Sequence, residues 1–425
     1  MAFDRTIGAL IVGGAHGSLA LARALGRRGI PVCFVSDDHR IAKYSRYVTS
    51  DHDWPGPGDE GALGFLLGLA SRHGLDGWVL VAGGDPELRL ISQHHAELSS
   101  VYRVTVPPWE IVRWAHDKRL TYQRAAALGI DHPQCYHLRD LQDVAQFDGR
   151  FPVVLKPAVR EEKNAFTRAK AWRCDDRASL SARYQQAAAL VGGEGIVLQE
   201  LIPGGGSAQL SCAGVWSRGA PVASLVARRT RQYPIEFGYT STFVETVEQS
   251  EVEDAACRFL RSLDYSGLAE VEFKYDRRDG RYKLLDVNAR AWTWSALGPL
   301  AGVDFAYVLW QVARGEAIEP SRGRAGVAWM HGVRDVVAAG QEMLAGRRSL
   351  PSYLDGWRKP LVFAAFAKDD PLPGVVDLPI LVGRLLARGA ATVRGMLDVR
   401  GAAVERRYRG HRPPLDAITG PQRKG

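Results

Sequence analysis

The chain is poor in cysteine and has no long apolar run. Its 425 residues include only five cysteines, which are scattered, odd in number and form no CxxC pair. This pattern argues against a disulfide framework and a zinc site, and it favours a reducing compartment. The N-terminus lacks a signal-peptide core and a cleavage site, and no stretch is long enough to span a membrane. We therefore expect a cytoplasmic protein without a membrane span.

The chain also lacks a concentrated block of one charge sign in its body. The formal net charge is +8 at pH 7, and the densest basic group lies near the C-terminus, at Arg406, Arg407, Arg409 and Arg412. We recognise no nucleic-acid-binding module. We therefore expect no nucleic-acid partner, and we attribute the basic balance to sites for phosphates and anionic substrates.

The first 110 residues alternate short apolar strands with helices. Residues 7–12 are a predicted strand, and a Gly13-Gly14 turn and a helix follow it. Residues 78–82 are another strand, which ends at Gly83-Gly84-Asp85. This pattern predicts an open parallel α/β sheet with ligands at the carboxyl ends of its strands. The first glycine turn also suggests a dinucleotide site, but it lacks the full GxGxxG spacing, so a NAD-dependent oxidoreductase is the weaker alternative.

Two later strand-like segments, Gly267–Asp276 and residues 282–290, carry the densest group of polar side chains. Read with a period of two, one face is apolar, with Leu285 among its members. A three-residue loop, residues 278–280, would align the two strands and place Glu272 opposite Asp286. The other face presents the chemically active side chains, which are Glu270, Glu272, Asp286, Asn288 and Arg290.

Carboxylates that face each other across two strands repel unless a positive charge lies between them. A divalent cation would satisfy Glu272 and Asp286. These two acids and the Asn288 amide are oxygen ligands of the kind that magnesium prefers. Arg290 would add a fixed positive charge beside bound phosphates. The alternative is an exposed hairpin whose outer face is merely solvated.

Three other segments carry candidate nucleotide ligands. Lys156 ends the apolar strand FPVVLK, where a phosphate would be a suitable partner for its ammonium. Lys118 begins a helix directly after Asp117. The segment QELI, residues 199–202, ends a strand at a predicted hinge, where backbone groups can pair with an adenine edge.

The order of these elements resembles the ATP-grasp superfamily, in particular its predicted ATP-dependent carboligases that include D-aspartate ligase. The shared segments span nearly the whole chain. They are GG after the first strand, AKYSRY (42–47), GGDPEL (83–88), DK (117–118), FPVVLKP, VLQELIPG, RRTRQYP (228–234), VEF and DVNAR.

The resemblance implies a role for each matching residue. Lys118 and Lys156 would contact ATP phosphates, with Lys156 also near the adenine, and Gln199, Glu200, Leu201 and Ile202 would bind the adenine. Glu272, Asp286 and Asn288 would hold one or two magnesium ions, and Arg290 would act catalytically on the transferring phosphoryl group. Arg229 and Arg231 are candidates for substrate or phosphate contacts, with a solvated strand as the alternative. Residues 161–168 resemble the mobile loop over the phosphates.

The implied architecture is an α/β ATP-grasp fold in five parts. An N-terminal open parallel α/β domain (residues 1–110) would precede two α+β subdomains (111–197 and 198–318). A C-terminal extension (319–412) and a disordered tail (413–425) would follow. The chain departs from the family pattern in having Asp286 where Glu is common and Ala289 where Pro is common. It also lacks the acid expected to hold the ribose; Ser207 and Gln209 are the nearest polar residues.

The implied activity is ATP-dependent joining of a carboxylate to an amine through an acyl phosphate, with ATP and Mg²⁺ as cofactors. The expected partners are a small carboxylic acid and an amine, with amino acids as candidates, and a homodimer is a candidate assembly. The alternatives are another ATP-grasp chemistry such as carboxylation of a small molecule, and nucleotide binding without catalysis.

Overall fold

The N-terminal part of the chain forms a five-stranded parallel sheet. The computed structural model describes residues 7–159, 164–233 and 240–383. The strands run in the order β3-β2-β1-β4-β5, so the order reverses beside β1 and the carboxyl ends of β1 and β4 border a crevice. The elements are β1 (Ala9–Val12), α1 (His16–Gly26), β2 (Val32–Val35), β3 (Ser50–His52), α2 (Ala62–His73), β4 (Val79–Ala82), α3 (Asp85–Gln93), α4 (His95–Ser99) and β5 (Arg103–Val104).

Two helices lead from this sheet into a small antiparallel sheet, whose order is β6-β9-β7-β8. Asp117 caps the second of these helices by accepting a hydrogen bond from the Arg119 N–H at 2.9 Å, so Lys118 is the first helical residue. The elements are α5 (Trp109–His116), α6 (Lys118–Ala127), β6 (Cys135–Tyr136), α7 (Leu141–Ala145), β7 (Val153–Pro157), α8 (Ala165–Ala169), β8 (Trp172–Cys174), α9 (Arg177–Val191) and β9 (Ile196–Glu200).

The largest sheet has eight strands, in the order β14-β13-β10-β11-β12-β16-β17, with β15 paired to β11. Strands from the predicted C-terminal extension, β15 to β17, therefore belong to this sheet. The elements are β10 (Gln209–Ser217), β11 (Ala220–Tyr233), β12 (Thr240–Val247), α10 (Ser250–Arg261), β13 (Gly267–Asp276), β14 (Arg281–Asn288), α11 (Leu297–Ala301), α12 (Phe305–Ala313), β15 (Ser321–Arg322), β16 (Ala328–Met330), α13 (Gly332–Leu344), α14 (Leu350–Asp355) and β17 (Leu361–Phe363).

All of these elements lie in a compact unit that ends at Gly374, and a second unit begins at Val375. Within the described part of the chain, every helix is too short or too polar to cross a bilayer. Residues 160–163, Pro234 and the predicted tail lie outside the described residues, so the predictions for the phosphate loop, for the end of RRTRQYP and for the tail stay predictions.

The hairpin of β13 and β14 pairs Glu272 with Asp286, as predicted, but by a different route. Four residues, 277–280, connect the strands, not the three that the sequence suggested. A bulge at Leu285 then restores the register, because Glu272 pairs with Asp286 while Phe273 pairs with Leu284. Leu284 is fully buried in place of Leu285, so the predicted inward position of Leu285 is wrong.

A second bulge, at Thr230 in β11, separates the two arginines that flank it. Arg229 pairs with Val244, whereas Arg231 pairs with Phe243. Arg231 makes a bidentate ion pair with Asp335 of α13, at 2.7 and 2.8 Å, and its guanidinium lies 4.0 Å from the centre of the Phe243 ring. Both charged side chains are buried, so this pair fixes α13 against the large sheet.

The AKYSRY segment is held by a clasp from the C-terminal part of the same unit. The Asp370 carboxylate accepts hydrogen bonds from Ser45 Oγ at 2.7 Å, from the Arg46 N–H at 3.0 Å and from Arg23 Nε at 2.8 Å. Tyr47 OH donates to Asp369 at 2.7 Å. The segment therefore joins the N-terminal sheet to residues 369–370, which gives this motif a structural role.

We expect Asp335→Ala to destabilise the protein by about 3–5 kcal/mol, because it leaves the buried Arg231 charge without its partner. Asp175→Asn is the matched control: Asp175 and its partner Arg173 are exposed, so its cost should be about 0–1 kcal/mol. Urea unfolding measures both. Equal, small shifts for the two variants would show that the Arg231–Asp335 pair does not hold α13 in place.

Candidate functional site

The candidate site begins on one face of the hairpin. Glu272 lies opposite Asp286, and Glu270 lies opposite Asn288. The neighbouring strand β10 places Ser211 beside Glu272. Glu270 and Glu272 are both buried, at 3% and 8% relative exposure. The solvated hairpin that the sequence left open is therefore not what the chain forms, because these carboxylates lie inside the protein and need compensating charge.

Two cations of the protein itself compensate the facing carboxylates. Lys118 Nζ lies 2.6 Å from Asp286 Oδ1, and Arg229 Nη2 lies 3.3 Å from Glu272 Oε2. Burial alone would raise the pKa of Glu272, but Arg229, Lys170 and the Asn288 amide hold it well below its usual value. Repulsion between Glu272 and Asp286 is thus relieved within the chain, so it does not by itself require a metal ion.

Glu270 has the opposite electrostatic environment. Burial, together with the neighbouring charge of Glu272, raises the pKa of the Glu270 carboxyl. Its oxygens accept hydrogen bonds from Trp294 Nε1 and from Asn288 Nδ2, both at 3.1 Å. The pKa values of Glu270 and Glu272, which lie two residues apart on one strand, are therefore shifted in opposite directions.

The carboxylates of Glu272 and Asp286 have the oxygen chemistry that Mg²⁺ prefers. Asn288 fits less directly. Its Nδ2 donates to Glu272 Oε1 at 2.9 Å, and its Oδ1 accepts from Arg290 Nη2 at 3.1 Å. For Asn288 to serve as a ligand beside Glu272, its amide must rotate to present Oδ1. The two acids fit the ion as they stand, and the amide fits after this rotation.

Arg290 lies just beyond β14 and is tied to the N-terminal sheet. Its Nε and Nη2 atoms lie 2.7 and 3.2 Å from the two carboxylate oxygens of Asp85. Burial alone would lower the pKa of Arg290, but the negative charges of Asp85, Glu270 and Glu272 raise it above its usual value. The guanidinium is therefore a permanent positive charge within the acidic cluster.

The predicted nucleotide ligands lie on the neighbouring small sheet. Lys156 on β7 is influenced electrostatically by Lys118 and Asp286, and Gln199 is buried on β9. Tyr122 OH lies 2.9 Å from the Leu285 carbonyl oxygen and 3.0 Å from Gln199 Oε1. This tyrosine links α6, the bulge in β14 and β9, so the predicted adenine segment is connected to the hairpin.

The rest of the predicted adenine segment continues from β9. The Glu200 carboxylate accepts hydrogen bonds from Arg278 Nη2 at 2.5 Å and from Lys283 Nζ at 3.1 Å. The Leu201 N–H donates to the Pro152 carbonyl oxygen at 3.2 Å, and the Ile202 carbonyl oxygen accepts from Lys274 Nζ at 2.8 Å. This segment is therefore anchored on both sides.

Among the predicted site residues, Arg231 is the one that the structure places elsewhere, in its pair with Asp335. Conversely, the sequence reasoning did not identify Asp85, Tyr122 or Lys170 as members of the site. Asp85 lies within the GGDPEL segment, which was the available signal. Tyr122 and Lys170 carry no local pattern that sets them apart. Trp292 and Trp294, which follow the hairpin directly, are both buried.

The space beside the first glycine turn is filled by a side chain of the protein, the Glu87 carboxyl group. Gly13 has a φ of +72°, and a Cβ on it would overlap the Glu87 carboxyl group. Glu87 is buried, which raises its pKa to about 7. In a dinucleotide site the backbone must approach a pyrophosphate closely at this turn. The acid in that space argues against the NAD-dependent alternative.

Comparisons with known proteins agree with this geometry. Residues 225–320 match the family model of the carbamoyl-phosphate synthase L chain, ATP binding domain. The chain is 23% identical over 326 residues to a D-aspartate ligase of Enterococcus faecium (strain Aus0004), covering 70% of this chain and 74% of that protein.

Two solved structures show the same fold at low identity. An L-amino acid ligase from Bacillus licheniformis has a TM-score of 0.58 at 17% identity, over 76% of this chain and 78% of that one. The biotin carboxylase domain of the 2-oxoglutarate carboxylase from Hydrogenobacter thermophilus, solved with MgADP, ADP and bicarbonate, has a TM-score of 0.59 at 16% identity, over 75% and 73%.

The fold and these matches define the class of protein: the chain has the ATP-grasp fold. The predicted resemblance to D-aspartate ligase is likewise confirmed, by the match over 326 residues.

We expect Asp286→Asn to abolish ATP turnover and to lower the stability of the ligand-free protein by about 1–3 kcal/mol, since Lys118 loses a charged partner. Asp131→Asn is the control, because it removes an acid from the exposed pair with Arg281. ADP release and urea unfolding measure the two effects. A more stable Asp286→Asn protein would mean that repulsion from Glu272 outweighs the Lys118 bond.

The pH dependence of ATP binding should report on Lys156. Burial and the adjacent Lys118 lower the pKa of Lys156 to about 8, and bound phosphates would raise it. Because the protonated form binds better, ATP affinity should be nearly full at pH 7 and fall about tenfold by pH 9. Calorimetry would measure it, and Lys156→Arg, which stays charged, should flatten the profile. An unchanged profile in that variant would assign the titration to another group.

Proposed function

We propose that this protein is an ATP-dependent ligase that joins a carboxylic acid to an amine. The observation that carries the proposal is the buried cluster in which Glu272 and Asp286 face each other, with Lys118, Arg229 and Arg290 around them. Acids that can hold a divalent cation and cations that can hold phosphate oxygens are the parts that phosphoryl transfer requires.

A carboxylate resists attack by an amine because its carbon is electron-rich and oxide is a poor leaving group. In the proposed reaction, a carboxylate oxygen attacks the γ-phosphorus of ATP, and the bond from that phosphorus to the bridging oxygen of ADP breaks. The acyl phosphate that forms is then attacked by the amine at its carbonyl carbon. Phosphate leaves, the amine loses a proton, and an amide remains.

The residues of this chain would divide the work of the first step. Lys118 and Lys156 would hold phosphate oxygens, and Arg290 would stabilise the charge that develops on the transferring group. Glu272, Asp286 and the rotated Asn288 would hold Mg²⁺, which would neutralise phosphate charge. On ATP binding, Lys118 would exchange its bond to Asp286 for a bond to a phosphate. Asp286 would then be free to hold the cation.

The names of the relatives support the substrate class. One is a D-aspartate ligase and one an L-amino acid ligase, so amino acids are the preferred donors or acceptors for this chain. Carboxylation is the second candidate, because one structural relative is a biotin carboxylase domain solved with bicarbonate.

ADP and phosphate release should therefore be screened against amino acids and small carboxylic acids, alone and in pairs. ADP formation should depend on an acid and rise with the matching amine, and the product should weigh one water less than the two substrates together. Hydroxylamine should trap a hydroxamate from the acyl phosphate. A product that gains carbon dioxide would favour carboxylation, and AMP with pyrophosphate would contradict the acyl-phosphate mechanism.

A further inference from the structure

Arg290 is oriented by an acid from the N-terminal part of the chain, the first residue of α3. Asp85 and Arg290 lie 205 residues apart in the chain, yet Nε and Nη2 of the guanidinium meet Oδ1 and Oδ2 of the carboxylate. This two-point contact fixes both the position and the plane of the guanidinium. Two other acids near Arg290, Glu270 and Glu272, also raise its pKa. Their hydrogen bonds, however, go to Asn288 and other donors.

The bonds of Arg290 leave one of its N–H groups without a partner among the described residues. Nη2 also donates to Asn288 Oδ1, and Nη1 donates to the Ala291 carbonyl oxygen, each at 3.1 Å. A guanidinium has five N–H groups, and the bonds from Nε, Nη2 and Nη1 use four of them among the described residues. The one hydrogen that these bonds leave over is on Nη1, and the Asp85 pair fixes the plane in which it lies.

The carboxylate of Asp85 is itself held on a rigid support. It is the first residue of α3, directly after β4 and the pair Gly83-Gly84. A Cβ on Gly83 would overlap the Gly13 carbonyl oxygen, and one on Gly84 would overlap Glu87. The turn is therefore closely packed. The Ala291 N–H also lies 3.4 Å from the Ala82 carbonyl oxygen, so the backbone beside each partner is in contact.

We propose that Asp85 is a positioning residue for Arg290, and that it links the N-terminal sheet to phosphoryl transfer. The proposal rests on the proposed function, because it concerns the step in which Arg290 contacts the transferring group. Arg290 lies two residues beyond the end of β14, outside the paired part of the hairpin. The Asp85 carboxylate neutralises part of the Arg290 charge, and its two-point contact holds the guanidinium in one orientation.

Asp85→Asn tests the proposal with little change in shape. The Asn amide group would set its own N–H donors against Nη2 of Arg290, so the two-point contact is lost. Hydroxamate formation with the best acid should fall about 100-fold, the size of effect expected from misplacing a catalytic group. ATP affinity by calorimetry should change much less, because Asp85 bonds to Arg290 and Lys118 and Lys156 would still hold the phosphates.

A double variant separates positioning from direct substrate binding. If Asp85 acts through Arg290, then adding Asp85→Asn to Arg290→Ala should cause no further loss. Losses that multiply, or a raised KM for the amine alone, would overturn the proposal and make Asp85 a substrate ligand. Asp304→Asn is the matched control: it removes an acid from a pair with Arg28 at 3.1 Å and keeps the helix cap, so its activity should equal that of the unmodified protein.

A readout without turnover keeps this inference separate from the proposed function. In NMR of protein labelled at arginine Nε, the Arg290 signal, assigned by its absence in Arg290→Lys, should be protected from exchange and should lose protection in Asp85→Asn. If the unmodified protein makes no hydroxamate with any acid, the proposed function fails. Retained protection, or an unchanged hydroxamate rate in Asp85→Asn, would overturn the positioning role.

Discussion

The balance of charge around Glu272 and Asp286 is the constraint on which the site depends. Two carboxylates on facing strands, of which Glu272 is buried and Asp286 partly buried, would destabilise the hairpin if they stood alone. Lys118 from α6 and Arg229 from β11 bond to them directly, and Arg290 adds a third positive charge. Because each cation comes from a different element, the acids can be buried only when those elements have assembled.

The same requirement joins the sheets. Helix α3, which packs with the N-terminal sheet, provides Asp85 to Arg290. The helix before the small sheet provides Lys118 to Asp286 of the large sheet. Tyr122 connects α6 to β9 and β14 by its hydroxyl. Each ion pair is thus also a contact between two regions of the fold. Substrate binding that replaces one of these bonds would change how firmly those regions are held together.

Much of this was predictable because it is local. The alternation of strand and helix in the first 110 residues predicted a parallel sheet, and the period of two in residues 267–290 predicted an acidic face. The segment order predicted the ATP-grasp fold, which the structure has. Arg229 and Arg231, however, look equivalent in the sequence. One extra residue in β11 sends one to the acids and the other to Asp335, and no residue type signals that bulge.

The sequence by itself determined which side chains share a strand face, because side-chain direction in a strand repeats every two residues. It therefore specified Glu272 and Asp286 as a pair, although the loop length and the inward leucine came out differently. Only the tertiary structure decided which cation meets which acid. Lys118 and Asp286 are 168 residues apart, and Asp85 and Arg290 are 205 apart. Such pairs depend on how whole sheets pack, and local periodicity carries no information about that packing.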